Sequence, residues 1–387
     1  MAEVPDGGAP TPALAECPHC GERVPLGAFC GNCGASLTDR PGKRRLHVYA
    51  AAPNEHVARP SVITTLFPHL PHRHAHLFSE ALLIGVLIVV LLAALQLYTS
   101  ALIAASLLLP ILYMLYLYEV EVYENDAVVV IGATFVTGAA LGTGFALLSG
   151  HLITGTINGT QQGPLISGVA VPLIVQLLML AGPVSLLLLR SHFEETLDGL
   201  TFGVTSALGF TLALVIAGNW HTFTGPLQGT GAVSAQAILR LLRAGVLVAI
   251  VNGCTTGMIT AVLWFEHHGR SQRRHAYSWR GLEATALVAF GAQVVLGLAS
   301  YFIGNLLGLV LLWASAAIGL LVWLRVLLHH ALLDEGTGVI GEASACSECH
   351  RLVPTMNFCP ACGVHRSASP KRARPVEQRV ERAPSHG

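Results

Sequence analysis

Eight of the nine cysteines form two blocks of four with identical spacing. Each block, "CPHCGERVPLGAFCGNCG" and "CSECHRLVPTMNFCPACG", contains two C-x-x-C pairs separated by nine residues. Two such pairs can aim four thiolates at one ion, which is the tetrahedral ligand set that zinc prefers. We therefore predict two structural zinc sites, because four cysteines leave no coordination position open for catalysis. The predicted ligands are Cys17, Cys20, Cys30 and Cys33 in the first block and Cys346, Cys349, Cys359 and Cys362 in the second.

Both blocks are similar to short zinc ribbons of the bacterial type, at 17–37 and 344–366. Disulfides and redox pairs are the alternatives, and a doubled four-cysteine pattern in a cytosolic setting favours zinc. Glycines follow three of the four pairs, where a tight turn needs positive φ. The nearby histidines His19, His350 and His365 could act as substitute ligands, but each cysteine set is already complete.

A second group of reactive side chains lies in "HFEETLDGLTFGVTSALGF", where Glu194, Glu195 and Asp198 precede an apolar run. Carboxylates at this position are typical of a helix start, where they interact with the positive end of the helix dipole. They are also weak candidates for a catalytic or metal site at the membrane surface. The other side chains expected on the same surface are His192, Glu119, Glu121 and Glu124.

The composition indicates a polytopic, all-α membrane protein. Only 11% of the residues are charged and 53% are hydrophobic, whereas a soluble domain usually has about 25% charged residues. The formal net charge is zero, so we expect no nucleic-acid partner and take the lipid bilayer as the main one. The first 40 residues contain cysteines and lack an apolar core, so we expect no signal peptide.

Apolar stretches predict eight transmembrane helices between residues 80 and 330. The first two share 81–118 and are separated near "QLYTS"; the others are predicted at 127–150, 164–189, 198–219, 241–264, 283–303 and 305–328. Glycines at four-residue spacing in these segments are typical of close helix packing. Outside this domain we predict disorder at 1–16, a polar linker at 38–79 and a disordered basic tail at 367–387.

The distribution of arginine and lysine predicts that both termini are cytoplasmic. The segment before the first helix is basic, as is the loop "HHGRSQRRHAYSWR" on the same side. The opposite side has only Arg240 and Arg243. The predicted location is a bacterial cytoplasmic membrane, with the cysteine blocks in the cytosol, where free thiols persist.

The predicted spans are poor in groups that could activate water. Residues 127–150, 164–189, 199–219, 244–263 and 284–324 contain no Asp, Glu, His, Lys or Arg. Hydrolysis in a membrane requires a general base or a metal with open coordination. Amides are poor bases, and the lone Cys254 is interpreted as a small apolar filler. The polar side chains that remain, apart from Ser and Thr, are Gln176, Asn219, Asn252, Cys254, Gln293, Tyr301 and Asn305.

Two segments resemble those of PrsW-type intramembrane proteases. They are "HFEETLDGLTFGVTSALGF" and "LYLYEVEVYENDAVVVIGATFVTGAALG", and the resemblance covers roughly residues 110–310. It implies an eight-helix bundle and cleavage of membrane-anchored substrates such as anti-sigma factors.

The chain departs from the family pattern at the catalytic positions. The Glu-Glu pair is replaced by "LAGPVSLLLLR", the second glutamate by Leu214, and a helix-six histidine by Asn252, while the next helix offers Gln293. We therefore interpret the chain as a PrsW-like protein without hydrolytic activity, whose ribbons bind protein partners. The alternatives are an active membrane-embedded protease and a transporter or channel for a neutral solute.

Overall fold

The computed structural model divides the chain into two compact units, one formed by residues 1–57 and 332–387 and the other by 58–331. The structure describes residues 13–38, 49–52, 55–66, 76–120, 125–156, 163–189, 193, 195–218, 220, 235–268, 280–334, 340–346 and 348–368.

The helices lie in the second unit, apart from the last residues of the final one. They are α1 (Val62–Leu66), α2 (His76–Ala94), α3 (Tyr98–Val120), α4 (Asn125–Thr156), α5 (Val171–Leu189), α6 (Thr196–Gly218), α7 (Ala235–Leu241), α8 (Val248–His268), α9 (Arg280–Phe302) and α10 (Leu306–Asp334). Two π-helical segments, Leu165–Ala170 and Leu242–Leu247, lead directly into α5 and α8.

The prediction of a polytopic α-helical protein is confirmed. Seven helical segments in the described part of the chain are long and apolar enough to cross a membrane, and Phe78–Ala94 of α2 is a shorter apolar helix. The predicted break near "QLYTS" is at Gln96, which has φ of 63°. There the N–H of Leu97 donates to Leu92 and that of Gln96 to Ala93. This is a Schellman motif, which ends α2. Helix α3 begins shortly after it, at Tyr98.

Helix α6 lies at the centre of the bundle, because glycines let its neighbours approach its backbone. A Cβ added at Gly138 or Gly142 of α4 would clash with the carbonyl oxygens of Ser206 and Phe210. On the other side, a Cβ at Gly199 would lie 2.7 Å from the Thr260 carbonyl oxygen of α8. The predicted small-residue packing therefore holds α6 between α4 and α8.

The first unit contains two antiparallel hairpins of similar design. Strands β1 (Leu14–Glu16) and β2 (Arg23–Pro25) belong to the N-terminal ribbon, and β3 (Gly341–Ala345) and β4 (Leu352–Thr355) to the C-terminal ribbon. Each ribbon has one further bridge, between Phe29 and Ser36 in the first and between Phe358 and His365 in the second. Each hairpin places its first two cysteines in the turn between its strands, and the bridge encloses the other two.

Candidate metal centres and the polar core of the bundle

In each C-x-x-C pair, the residue after the second cysteine donates its backbone N–H to the carbonyl of the first cysteine. The N–H of Gly21 donates to the Cys17 carbonyl at 2.9 Å, and that of Gly34 donates to Cys30 at 2.9 Å. The residue after the second cysteine needs positive φ, which is 72° at Gly21 and 69° at Gly34. In the third pair a histidine takes this position, since His350 has φ of 55°. Such a conformation is unfavourable for a residue with a Cβ.

The four sulfur atoms of each ribbon converge on one point. In each group the ligand atoms lie within 4.8 Å of one another. The Sγ atoms of Cys17 and Cys33 are 3.8 Å apart, as are those of Cys346 and Cys362. A tetrahedron with metal–sulfur bonds of about 2.3 Å has edges of about 3.8 Å. Each group can therefore hold one metal ion without rearrangement.

Hydrogen bonds between the cysteine side chains shift their pKa values in opposite directions within each group. The bond with Cys33 lowers the pKa of Cys30 to about 5, and the same bond raises the pKa of Cys33. In the C-terminal ribbon, bonds with Cys359 and Cys362 lower the pKa of Cys346, and the bond with Cys346 raises the pKa of Cys359 to about 11. Some ligands are therefore thiolates at neutral pH, and others must lose a proton before they bind metal.

The two ribbons pack against each other about an approximate two-fold axis. The N–H of Phe29 donates to the Pro360 carbonyl at 3.0 Å, and the N–H of Phe358 donates to the Gly31 carbonyl at 2.9 Å. Phe29 and Phe358 occupy equivalent positions, as do Gly31 and Pro360, so the two bonds are reciprocal. This pattern is that of an isologous dimer interface formed within a single chain.

The side chains at this interface break the symmetry. Met356 packs into the core of the N-terminal ribbon, against a cluster that contains Cys17, Val24 and Cys30. The equivalent position in the N-terminal ribbon is Gly27, where an added Cβ would lie 2.6 Å from the Pro360 carbonyl oxygen. The C-terminal ribbon therefore contributes the Met356 side chain, whereas the N-terminal ribbon has a glycine at the equivalent position. Two copies of either ribbon would not fit in this way.

Part of the predicted 38–79 linker belongs to this unit. Tyr49, Ala50, Ala51 and Ala52 are at most 1% exposed, and the Ala50 carbonyl accepts the N–H of His365 at 2.7 Å. This segment therefore packs with the C-terminal ribbon, and His365 is held by its backbone and by ring contact with Phe358.

In the membrane unit, the polar side chains predicted from sequence converge on one buried network. Gln293 Nε2 donates to Asn252 Oδ1 at 2.9 Å and to Gln176 Oε1 at 3.1 Å. Asn252 Nδ2 donates to the Thr211 hydroxyl at 2.9 Å, and the Thr255 hydroxyl donates to Gln176 Oε1 at 2.9 Å. The network joins α5, α6, α8 and α9. Its members are amides and hydroxyls, which suit helix association but do not activate water.

The acidic residues lie at one end of α6, far from this network. Asp198 is 1% exposed, and its carboxylate accepts the backbone N–H of Glu195 at 3.3 Å. This is the return contact of a capping box, in which the third helical residue bonds the N-cap. Thr211 lies 13 residues further along α6, or about 20 Å at 1.5 Å per residue. Asp198 therefore does not meet Asn252 or Gln293.

Several residues of the candidate surface metal site lie outside the described part of the chain. They are His192, Glu194, Glu121 and Glu124, and the side chain of Glu119. Among the described residues, the groups of three or more Cys, His, Asp or Glu that could hold a metal are the two cysteine sets.

Two polar side chains that are buried in the last helix were not identified from the sequence. Arg325 is fully buried and His329 is 1% exposed. Helix α10 continues to Asp334, six residues beyond its predicted end at 328. Arg325 donates to the Thr64 hydroxyl of α1 at 2.6 Å. This contact ties α10 to the segment that precedes the membrane helices.

No protein-family model, curated protein or solved structure matches this chain significantly. The resemblance to PrsW-type proteases therefore rests on the two sequence segments alone.

Proposed function

We propose that the protein is a non-hydrolytic, multi-pass scaffold of the bacterial cytoplasmic membrane. It presents a preassembled pair of zinc ribbons to protein partners in the cytosol. The observation that carries this proposal is the reciprocal contact between Phe29–Gly31 and Phe358–Pro360. Since that contact joins both ends of the chain, the two ribbons form one module before any partner binds.

Zinc is the metal that best suits these sites. Sulfur-only tetrahedral sites favour zinc or iron–sulfur chemistry, and two C-x-x-C pairs in a small hairpin are typical of zinc. The Sγ separations of 3.8 Å agree with zinc–thiolate bond lengths. All four positions are occupied by cysteine, so the metal would supply folding energy to modules that have little core of their own.

Contact between the ribbons also supports eight membrane crossings. Two modules that touch must lie on the same side of the membrane, so the chain between them crosses it an even number of times. Seven segments in the described part of the chain qualify by length and composition, and α2 would be the eighth. At 19 residues, α2 is about 28 Å long, close to the roughly 30 Å of a bilayer core.

The absence of hydrolytic activity is proposed from the centre of the bundle. If the chain is a relative of PrsW-type proteases, Asn252 and Gln293 occupy positions of the reactive centre. There Gln293 bonds Asn252 and Gln176, and the buried carboxylate of Asp198 lies about 20 Å along α6 from Thr211 of the same network. The inherited scaffold would then serve to hold helices together.

Exposed leucines on the ribbons suggest where a partner would bind. Leu14 and Leu26 are 53% and 66% exposed. They lie at the same end of the first hairpin, since Leu14 pairs with Pro25 and Leu26 donates to Ala13. Neighbouring exposed aliphatic side chains form a small apolar patch, which can mark a site of protein interaction.

The proposal is tested with the full chain reconstituted in liposomes. We expect no cleavage of a model membrane-anchored peptide, with or without a chelator. Cleavage that is abolished by Asp198→Ala would establish the protease alternative. A photo-crosslinker at Leu26 should capture cytosolic protein, and the capture should be lost when Cys30→Ser removes the metal. The matched control is a crosslinker at Leu83, which is 70% exposed on α2.

A further inference from the structure

Two arginines lie at the end of the bundle where α3, α7 and α10 begin, here called the upper face. Arg240 is in the last turn of α7, and Arg243 is in the π-helical segment that follows. They are the only Lys or Arg between residues 191 and 269. Both fall inside the apolar span Gln236–His267. Arginines within an apolar span are uncommon, which makes them candidates for a functional site.

Carboxylates are scarce in the sequence around these arginines. Residues 127–193 and 199–265 contain no Asp or Glu. Glu266 follows Arg243 by 23 residues in the same helical rod, or about 35 Å. Among the described residues, neither guanidinium forms an ion pair. Their charge is therefore available to an anion from outside this unit.

The neighbouring helices place two aromatic residues beside the arginines. The Arg243 guanidinium carbon lies 5.9 Å from the centroid of the Trp313 ring in α10. The Trp313 indole donates to the Ser300 hydroxyl of α9 at 3.4 Å, which orients the ring. A cation–π contact leaves the guanidinium N–H groups available for a ligand.

Tyr98 is the second aromatic residue at this site. A Cβ added at Gly245 would lie 2.7 Å from Ala105 Cβ, so the π-helical segment packs closely on α3. Counting back from this contact along two parallel helices places Tyr98 and Arg240 within about 3 Å of the same height. The hydroxyl of Tyr98 can then serve the same ligand as Arg240.

Backbone geometry supports a site at Arg243. The Val248 N–H donates to the Arg243 carbonyl, which is the i to i+5 bond of a π-helix. Such segments shift the following side chains around the helix and are frequent at functional sites. The adjacent face is open, because Ile238 of α7 is 51% exposed and Leu242 of the π-helical segment is 40% exposed. Acyl chains could lie against this face.

We propose that Arg240 and Arg243 bind the phosphate of a phospholipid headgroup in the leaflet of the upper face. Arginine suits this role because its planar fork can bond two phosphate oxygens at once. Trp313 holds Arg243 in position, and Tyr98 and Arg240 complete a polar rim at headgroup height. Trp and Tyr are the residues enriched at this level of a membrane.

The experiment measures lipid retained by the full-length protein after delipidation and transfer to vesicles or nanodiscs. The discs contain either phosphatidylglycerol or a galactolipid without phosphate, and bound lipid is counted by native mass spectrometry. We expect a phospholipid adduct with wild type and none with the galactolipid. Arg243→Gln and Arg240→Gln should each weaken retention about tenfold, as for loss of a charge-assisted hydrogen bond.

Arg243→Lys, which keeps the charge but not the fork, should fall between wild type and Arg243→Gln. Arg59→Gln is the matched control, since Arg59 is exposed and lies before the membrane helices. Its retention should equal that of wild type. Melting temperature in detergent and bound metal should be unchanged in the variants used. If Arg243→Gln fails to fold, the exposed Arg240 provides the test alone.

Three results would overturn the proposal. Equal retention by the double variant R240Q/R243Q would show that the arginines do not hold the lipid. Equal retention of the galactolipid would show that phosphate is not recognised. Displacement of the lipid by millimolar inorganic phosphate would assign the site to a soluble anion.

Discussion

Phe29 and Phe358 exchange equivalent hydrogen bonds: each donates its backbone N–H to the carbonyl two residues beyond the other. The contact makes the folding of one ribbon depend on the other, since Met356 of the C-terminal ribbon completes the core of the N-terminal one.

We expect about two zinc ions per chain and coupled loss of both. Cys359→Ser should remove the C-terminal metal and speed release of the N-terminal one, because Met356 and Phe358 lose their fixed positions. Release is followed with a colorimetric chelator and the metal content by mass spectrometry. Cys254→Ser, at the buried cysteine of α8, is the control and should leave two metals. Independent release rates at the two sites would contradict the coupling.

Alanine substitutions at two equivalent glycines distinguish backbone strain in the turn from crowding at the interface between the ribbons. Gly21 and Gly34 have nearly the same positive φ. A Cβ at Gly21 meets nothing within 4 Å, whereas one at Gly34 lies 3.0 Å from the Phe358 ring. Gly21→Ala should cost about 1 kcal/mol from backbone strain, and Gly34→Ala about 1–3 kcal/mol more from overpacking. The measurement is the free energy of unfolding of the ribbon unit with metal present. Equal values for the two variants would contradict the prediction.

Replacement of His350 should stabilise the third cysteine pair. His350 has φ of 55° at a position where the other three pairs have glycine. His350→Gly removes the strain and should raise the stability of the metal-bound ribbon by about 1 kcal/mol. His350→Ala keeps a Cβ and serves as the control, with little expected change. Loss of metal in His350→Gly would instead indicate that the imidazole takes part in binding.

Metal affinity should rise with pH between about 6 and 9. Cys30, with its pKa near 5, is a thiolate throughout this range, but the pKa of Cys359 is raised to about 11 and that of Cys33 is raised as well. Binding must expel the protons of the latter groups, so acid opposes it. Competition titrations at several pH values measure the slope. An affinity that does not change with pH would contradict thiolate ligation.

Removal of the central amide should loosen the bundle. Gln293→Leu leaves Asn252 Oδ1 and Gln176 Oε1 without the Gln293 donor, which we expect to cost about 1–2 kcal/mol. Unfolding by denaturing detergent in mixed micelles measures the loss. Ser315→Ala is the control, since the Ser315 hydroxyl is exposed and bonds only its own helix. A loss no greater than that of the control would show that the network does not hold the helices together.

The sequence predicted the helices and the two four-cysteine clusters well, because each depends on a local pattern. Apolar length placed most helix ends within a few residues, and cysteine spacing identified both thiolate groups. The contact between Phe29 and Phe358 joins positions 329 residues apart, and no local pattern contains it. The same is true of the meeting of Gln176, Asn252 and Gln293, which sequence identified as separate polar positions.

Buried polar side chains near the end of α10 show a different limit. His329 follows an apolar run that already satisfies the length of a span, so hydropathy alone ends the helix too early. Arg325 contacts α1, because its guanidinium donates to the Thr64 hydroxyl at 2.6 Å. A short helix before the bundle has too little periodicity to reveal this contact.

The order of synthesis determines when the Phe29–Phe358 contact can form. The N-terminal ribbon leaves the ribosome first, and its counterpart follows 329 residues later, roughly 15–65 s at usual elongation rates. Throughout that interval the pocket for Met356 stays vacant and Gly31 has no donor from the other end. Contact between the two ribbons can therefore form only after every intervening helix has been made. A truncated product would leave the contact surface of the N-terminal ribbon exposed.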